Sequence, residues 1–353
     1  MKKTIAWIMS LVCILVVFSG CGSSSSTSSS AAIETSVVSE ASAPSTTDSQ
    51  AQSGSDFPNK EITIIVPFKA GGGIDVNARM MQEWFSKKKG WTVVVENITG
   101  GSTITGAQAA LNAKADGYTL FANNCISFLV PPMVYEAGYN PVEAFVSIGS
   151  NATVAQCLFS GAAHPDIVDF EGFVDYCKAN PGKVTIGVAG LADVTGISTF
   201  ALSKEYDLEL ELVPFDGAAD ISANLLGGHI DFGVFSASTG AAHVSEGTIH
   251  PLAETSGVDD NLFGTPTYTS LGHPNATVRF YRTLVAPAGV PEDVLQILRD
   301  AFAEMVANPD YIEAGIAIND PVVLPMNATE MQAQMELDYA KYGPLCEEMG
   351  LTS

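Results

Sequence analysis

The chain has 353 residues, of which 39 are acidic and 16 are basic, so its formal net charge at pH 7 is -23. A chain this acidic repels polyanions, so nucleic acid is not expected as a partner. Apolar residues make up 46% of the sequence, which is enough for a sizeable folded core.

The first twenty residues have the organisation of a secretory signal peptide. Two lysines precede an apolar run from Ile5 to Phe18, which is too short to span a bilayer. Small residues then precede Cys21, and this stretch resembles the bacterial lipobox, whose cysteine is acylated. An ordinary signal peptide with an incidental cysteine is the alternative. Residues 1–20 are therefore predicted to be removed, leaving Cys21 as a lipid (palmitate) anchor on the outer face of the cell membrane.

Residues 21–56 are predicted to form a flexible stalk. They are mostly Ser, Thr, Ala and Gln and contain too few large apolar side chains to fold. The remaining chain is long enough for two lobes. We expect residues 57–153 and 278–353 to form the first lobe and residues 154–277 the second, with a hinge where the chain crosses twice between them.

Strand and helix patterns alternate along the folded part of the chain. Short apolar runs predict strands at residues 62–66, 92–95, 119–122, 184–188, 210–213 and 230–234. Helical spacing predicts helices at residues 76–85, 107–113, 170–179, 199–206, 219–226, 291–307 and 329–349. This alternation indicates an α/β fold with parallel sheets and right-handed crossovers.

Four loops follow predicted strands, at residues 68–75, 187–195, 215–218 and 235–238. Ligands of open α/β sheets bind at the carboxyl ends of the strands, and glycine there lets bare N–H groups face an anion. Each glycine-rich turn taken alone is equally typical of a tight strand-to-helix connection. Four such loops in an exported chain favour a ligand cleft between two lobes.

Several motifs in order resemble the receptors of the tripartite tricarboxylate transporters, also called the Bug family. The resemblance covers essentially all of residues 57–353. Its motifs are the stretches at residues 64–75, 94–97, 116–120, 179–183, 213–215, 225–231 and 286–291. It implies a two-lobed, periplasmic-binding-protein-like fold that closes around a small carboxylate or amino-acid-like ligand. It also implies a monomeric receptor that needs no cofactor or metal and delivers its ligand to integral membrane permease subunits.

The resemblance implies ligand-binding positions in both lobes, acting largely through main-chain groups and bridging water. In the first lobe these positions are Phe68, Gly72, Gly73 and Asp75. In the second lobe they are Ala189, Gly190, Asp193, Thr195, Phe215, Asp216, Gly217 and Ser236.

Two charged residues depart from the family pattern. Asp216 stands where relatives usually carry a basic residue, and Lys69 where they usually carry an uncharged one. Either the ligand carries a cationic group, as an amino acid does, or both side chains point into solvent. The family's tryptophan region is replaced near Arg279 and Arg282, and either arginine is able to supply a fork for a carboxylate.

Two other functions are weighed against transport. A receptor that presents its ligand to a sensor kinase has the same sequence features. An exported hydrolase is disfavoured, because the sequence has no Gly-x-Ser-x-Gly elbow and its five histidines lack paired ligand spacing. The four cysteines of the folded part, Cys125, Cys157, Cys177 and Cys346, form no C-x-x-C pair and predict no zinc site.

Overall fold

The computed structural model describes residues 56–255, 257, 263–317 and 324–352. The predicted signal peptide, the acylation site at Cys21 and all of the stalk except Asp56 lie outside these residues. Within the described part, no helix combines the length and apolarity that a membrane span requires.

Twelve strands and eleven α-helices are formed by the described residues. The strands are β1 (Ile62–Val66), β2 (Val93–Asn97), β3 (Thr119–Asn124), β4 (Phe145–Ser150), β5 (Thr153–Val154), β6 (Gln156–Ser160), β7 (Val184–Val188), β8 (Leu210–Pro214), β9 (Phe232–Ser236), β10 (His250–Glu254), β11 (Phe280–Pro287) and β12 (Met326–Asn327). The helices are α1 (Gly73–Trp84), α2 (Ile104–Leu111), α3 (Cys125–Val134), α4 (Pro141–Ala144), α5 (Phe170–Ala179), α6 (Val194–Tyr206), α7 (Ala218–Leu226), α8 (Ala237–Ser245), α9 (Glu292–Val306), α10 (Pro309–Ala317) and α11 (Ala328–Glu348).

The strands form two sheets, each of which is the centre of one lobe. The first sheet has the order β12-β4-β11-β3-β1-β2, with β5 paired to β11. The second sheet has the order β10-β6-β9-β7-β8. The predicted α/β fold with two lobes is confirmed.

Each sheet has a parallel half and an antiparallel half. In the first sheet β1 pairs parallel with β2 and β3, whereas β11 runs antiparallel to β3 and β4. In the second sheet β7 pairs parallel with β8 and β9, whereas β6 runs antiparallel to β9 and β10. The predicted parallel pairing is present in three neighbouring strands of each sheet, and the antiparallel strands beside them were not predicted.

The chain crosses between the sheets at two places. Val154 pairs with Phe280 in the first sheet, and Gln156 two residues later begins β6 of the second. On the return, the N–H of Thr255 donates to the carbonyl of Gln156, and the N–H of Val278 donates to that of Thr255. The residue bounds of the lobes and the bending of this region stay predictions.

Helices cover both faces of each sheet, and apolar side chains fill the space between. In the first lobe α1 and α9 pack on one face, and α3 and α11 on the other. In the second lobe α5 and α6 pack on one face, and α7 and α8 on the other. Burial of these apolar faces provides the main stabilisation of both lobes.

Helix α6 of the second lobe also packs against the first lobe. Its side chains Val194 and Ile197 belong to the same buried cluster as Met335 and Tyr342 of α11. Further along, the ammonium of Lys204 lies 2.7 Å from a carboxylate oxygen of Glu348. The amino end of α6 is therefore held at the boundary between the two lobes.

The four cysteines of the folded part are buried free thiols. Within the described residues, no cluster of three or more His, Cys, Asp or Glu side chains is arranged to hold a metal ion. The cysteines pack as small apolar side chains.

Asp338 is a buried acid in α11, with 5% of its surface exposed. One carboxylate oxygen accepts a hydrogen bond from the hydroxyl of Tyr281 (2.9 Å), and the other accepts one from the amide of Gln334 (3.0 Å). Burial raises the pKa of Asp338 to about 6, although these hydrogen bonds oppose the shift. The folded protein thus binds this proton more tightly than the unfolded chain does.

We expect Asp338→Asn to remove a pH-dependent loss of stability. Because the folded pKa lies above the ordinary value of 3.8, the stabilisation is complete below that value and is lost as the pH rises through about 6. Between pH 5 and 7.5 the free energy of unfolding of the unmutated protein should fall by about 1 kcal/mol more than that of the variant. Urea denaturation at both pH values measures this, with Glu347→Gln, an exposed acid on the same helix, as the control. Equal pH dependence of Asp338→Asn and the unmutated protein would contradict the assignment.

Candidate functional site

The loop between β1 and α1 lies at the carboxyl end of the parallel strands of the first sheet. Gly72 precedes the helix with extended backbone angles, and Gly73 is the first residue of α1. Phe68 is half-buried against the apolar cluster on the α1 face of the sheet. The exposed main chain of Gly72 and Gly73 is thus presented at the edge of the first lobe, where the helix amino end favours negative charge.

Asp75 holds this loop from beneath, with 1% of its surface exposed. One of its carboxylate oxygens accepts hydrogen bonds from the N–H of Gly71 (2.8 Å) and from Nε of Arg79 (2.9 Å). The other accepts one from the side-chain amide of Asn97 (2.8 Å), which also donates to the carbonyl of Phe68 (3.0 Å). Both oxygens are thus engaged by the protein itself. Asp75 therefore orders the loop, and this geometry favours an indirect contribution to ligand binding.

The electrostatics of Asp75 agree with that structural role. Burial alone would raise its pKa, but hydrogen bonds from Arg79, Gly71 and Asn97 and the charge of Arg79 outweigh burial, and the pKa lies below the usual value. The carboxylate is consequently ionised at neutral pH, and its hydrogen bonds are charge-assisted.

The three glycines of the loop differ in what they require. Gly71 has a φ of 84°, a left-handed conformation that side chains other than glycine rarely adopt. Gly72 has a φ of -73°, and a Cβ there would lie 3.3 Å from the carbonyl oxygen of Lys69. The φ of Gly72 is therefore open to other residues, but a side chain there would make a tight contact with the backbone of Lys69 and require a small shift of the loop.

A second loop follows β7 and leads into α6. The carboxylate of Asp193 accepts hydrogen bonds from the N–H and the hydroxyl of Thr195, both at 3.1 Å. The same hydroxyl accepts a hydrogen bond from the N–H of Ala189 (2.7 Å). These polar side chains close the loop on itself, so Gly190 and its neighbours are placed by an internal network.

The second loop meets the first lobe. Burial raises the pKa of Asp193 although Thr195 donates to it. Burial, the charge of Asp338 and that of Asp193 together raise the pKa of Cys125 well above its usual value. Cys125, the first residue of α3, shares a buried cluster with Val194, the first residue of α6, so the amino ends of these two helices lie close together.

The other predicted residues of the second lobe occupy the loops after β8 and β9, the two strands beside β7. Phe215 is half-buried in the apolar cluster beneath α7 and α8, Asp216 is exposed, and Gly217 immediately precedes α7. Ser236 precedes α8, and its hydroxyl lies 2.6 Å from that of Thr239. Because β7, β8 and β9 are parallel neighbours, these loops share one edge of the second sheet.

The structure thus places the twelve predicted residues on one loop of the first lobe and three of the second. The second-lobe loop at residues 189–195 also contacts the first lobe. The side chains of Asp216 and Lys69 are exposed, and no hydrogen bond or ion pair within the described part of the chain fixes their direction. The ligand-binding assignment of the twelve residues stays a prediction.

Sequence reasoning missed residues that build the loops. Asn97 and Arg79 both bind Asp75, as described above. Asn97 was missed although it lies within one of the family motifs. Gly196 was also missed: a Cβ there would come within 2.3 Å of the carbonyl oxygen of Gly190, so a side chain would displace the second loop. Asn124, the last residue of β3, caps α3 by accepting from the N–H of Ser127 (2.8 Å). The sequence indicates this cap only through the preference of Asn for the position before a helix. The apolar run that contains Pro131 and Pro132 does not have the pattern of a helix.

The fold thus consists of two α/β lobes, each with helix amino ends at the carboxyl ends of its parallel strands. Residues 77–351 match the model of the tripartite tricarboxylate transporter family receptors. The chain belongs to that family, whose members are extracytoplasmic solute-binding receptors and not enzymes. The predicted family is therefore confirmed.

Individual relatives agree with this assignment. The chain is 28% identical over 276 residues to the UPF0065 protein in the tcbD-tcbE intergenic region of Pseudomonas sp. strain P51, covering 77% of this chain and 81% of that one. A ligand-free TctC solute-binding protein from Polaromonas shares 24% identity with a TM-score of 0.76, over 83% of this chain and 99% of that one. An R. palustris protein solved with adipate shares 24% identity with a TM-score of 0.67, over 84% and 99% of the two chains. At these identities the solved structures establish the fold.

We expect Gly72→Val to abolish ligand binding while the fold is retained. The φ of Gly72 is open to valine apart from the tight contact with the carbonyl oxygen of Lys69. The added isopropyl group would occupy the space above the loop and keep an anion from the N–H groups of α1. Isothermal titration with the best-binding acid measures the loss. Gly343→Val, where a Cβ would meet no atom within 4 Å, is the control for an added side chain, and thermal unfolding reports the fold. Retained affinity in folded Gly72→Val would place the site elsewhere.

Proposed function

We propose that this chain is an extracytoplasmic receptor that captures a small carboxylate between its two lobes and delivers it to a tripartite tricarboxylate transporter permease. The observation that carries the proposal is that helix amino ends follow the parallel strands of both lobes, at α1 and α3 in the first lobe and at α6, α7 and α8 in the second. Such ends offer N–H donors and favourable potential to an anion. The adipate bound by the R. palustris structure supports the same ligand class.

The ligand is held mainly by main-chain groups. In both lobes the polar side chains nearest the loops, Asp75 and the pair of Asp193 and Thr195, are engaged within the protein, leaving main-chain N–H groups for the ligand. Closure of the lobes would surround the carboxylate with donors and exclude water, which strengthens each hydrogen bond. Attachment through an acylated Cys21 and a flexible stalk would keep the monomeric receptor close to the permease.

The test is a binding screen of the purified folded part, residues 56–353. We expect adipate, malate or citrate to raise the unfolding temperature and to give a saturable titration, because binding only the folded state stabilises it. The diamide of adipic acid is the matched neutral control and should produce no shift. The proposal fails if amides and acids bind equally, or if no carboxylate binds at all. Loss of uptake of the bound acid after deletion of the gene tests delivery.

Asp216 provides a separate test of the ligand's charge. Its exposed carboxylate lies next to the amino end of α7. For a plain di- or tricarboxylate, which we favour, Asp216→Asn should leave affinity unchanged or raise it, because a repulsive charge is removed. A zwitterion that uses Asp216 would instead lose about 1.5 to 3 kcal/mol of binding free energy with its charge-assisted hydrogen bond. Titration of both proteins with citrate and with amino acids distinguishes the two outcomes.

A further inference from the structure

Arg282 lies in β11, at the same edge of the first sheet as the loop before α1. It pairs with Asn124, the last residue of β3, and its N–H donates to the carbonyl of Ala152 (2.9 Å). Strand β3 in turn pairs with β1. The backbone of Arg282 is thus two strands away from β1 and lies near the level of the carboxyl end of β1.

The guanidinium of Arg282 reaches across to the amino end of α1. Its two terminal nitrogens would lie 3.6 and 3.8 Å from a Cβ placed on Gly73. The side chain is half-buried. Because Gly73 carries no side chain, the fork of the arginine and the first N–H groups of α1 lie side by side.

These two groups recognise the same chemistry. The planar guanidinium matches a carboxylate with two parallel hydrogen bonds, and the helix amino end adds N–H donors and positive potential. Arg282 already interacts within the protein, but its five N–H donors allow one intramolecular partner and a ligand together. The side chain also brings positive charge to an otherwise acidic protein, which has 16 basic against 39 acidic residues.

We propose that Arg282 binds the ligand carboxylate directly and determines the selectivity of the first lobe for carboxylates, from its position beside Gly73 at the amino end of α1. The inference rests on the proposed function. It adds a charged side chain to a site otherwise made of main-chain donors. A neutral group in this position forms weaker hydrogen bonds with the guanidinium than a carboxylate does, so carboxylates are preferred over neutral analogues.

Arg279 is a matched comparison for Arg282. It is also half-buried and lies three residues earlier in the chain. Burial raises the pKa of Tyr342, and Arg279 is close enough to oppose that shift. Since Tyr342 belongs to the cluster beneath α11, the charge of Arg279 acts near the opposite face of the sheet from α1.

The experiment is isothermal titration of four proteins with adipate, malate and citrate: the unmutated protein, Arg282→Gln, Arg282→Lys and Arg279→Gln. We expect Arg282→Gln to weaken the best-binding acid about tenfold to a hundredfold, the range of a lost charge-assisted pair. Arg282→Lys should recover part of that loss, because it restores the charge without the fork. Arg279→Gln should weaken binding less than Arg282→Gln does, and an equal or larger loss would assign the carboxylate fork to Arg279 and overturn the inference.

Binding of the diamide of adipic acid completes the test. The preference for adipate over its diamide should shrink in Arg282→Gln, which a general loss of folding would not produce. Equal affinity of folded Arg282→Gln and the unmutated protein for the acid overturns the inference while leaving the proposed function intact. If the unmutated protein binds none of the acids, the proposed function itself is rejected.

Discussion

The parallel pairing of three neighbouring strands in each sheet is the constraint on which the proposed site depends. In each lobe three strands run the same way, so the chain leaves all of them at one edge, and several of those exits lead into the amino end of a helix. Main-chain N–H groups at such ends have no partner within the helix. A binding edge is therefore a consequence of the topology. The loops only decide how closely a ligand approaches it.

The loops are held by charges that the ligand does not need to touch. Asp75 joins Gly71, Arg79 and Asn97, and so ties the first loop to α1 and to the end of β2. Asp193 and Thr195 do the same within the second loop. Because these hydrogen bonds are formed within the protein, the loops do not depend on ligand contacts for their conformation. Polar residues near a binding edge thus have structural duties that resemblance alone does not distinguish from ligand contact.

The sequence predicted best where a local pattern decides the structure. The strands Ile62–Val66 and Val184–Val188 and the helix Phe170–Ala179 have the predicted bounds, because each is a short apolar run or an amphipathic segment with a clear end. Helix α6 begins five residues before its predicted start, because the cap at Asp193 outweighs the weak apolar periodicity of the segment. The antiparallel strands β6 and β11 were not predicted, since their partners lie far away in the chain.

The site divides in the same way. The glycine-rich loops and their places after strands were readable from the sequence, because left-handed turns such as the one at Gly71 favour glycine. The proximity of Arg282 to Gly73 was not readable from the sequence, because these residues are far apart in the chain and are brought together only through the pairing of β11 and β1 with β3. The side-chain networks of Asp75 and Asp193 were hidden for a related reason, since a carboxylate's partners depend on its three-dimensional surroundings.

The net charge of -23 and an anionic ligand are compatible because their effects have different ranges. At physiological ionic strength exposed charges are screened over roughly 8 Å, so most surface carboxylates contribute little at the cleft. In the proposed site, the helix amino ends and the half-buried Arg282 contact the ligand at hydrogen-bond distance, where salt screens their interaction with it only weakly. The acidic surface therefore affects solubility and the rate of encounter more than the sign of the bound ligand. This reasoning does not extend to Asp216, an exposed acid next to the proposed site. Its carboxylate stands beside the amino end of α7, at a distance where screening is weak. A carboxylate at that position acts against the positive potential of the α7 amino end, so the effect of Asp216 on binding depends on the charge that the ligand brings to it.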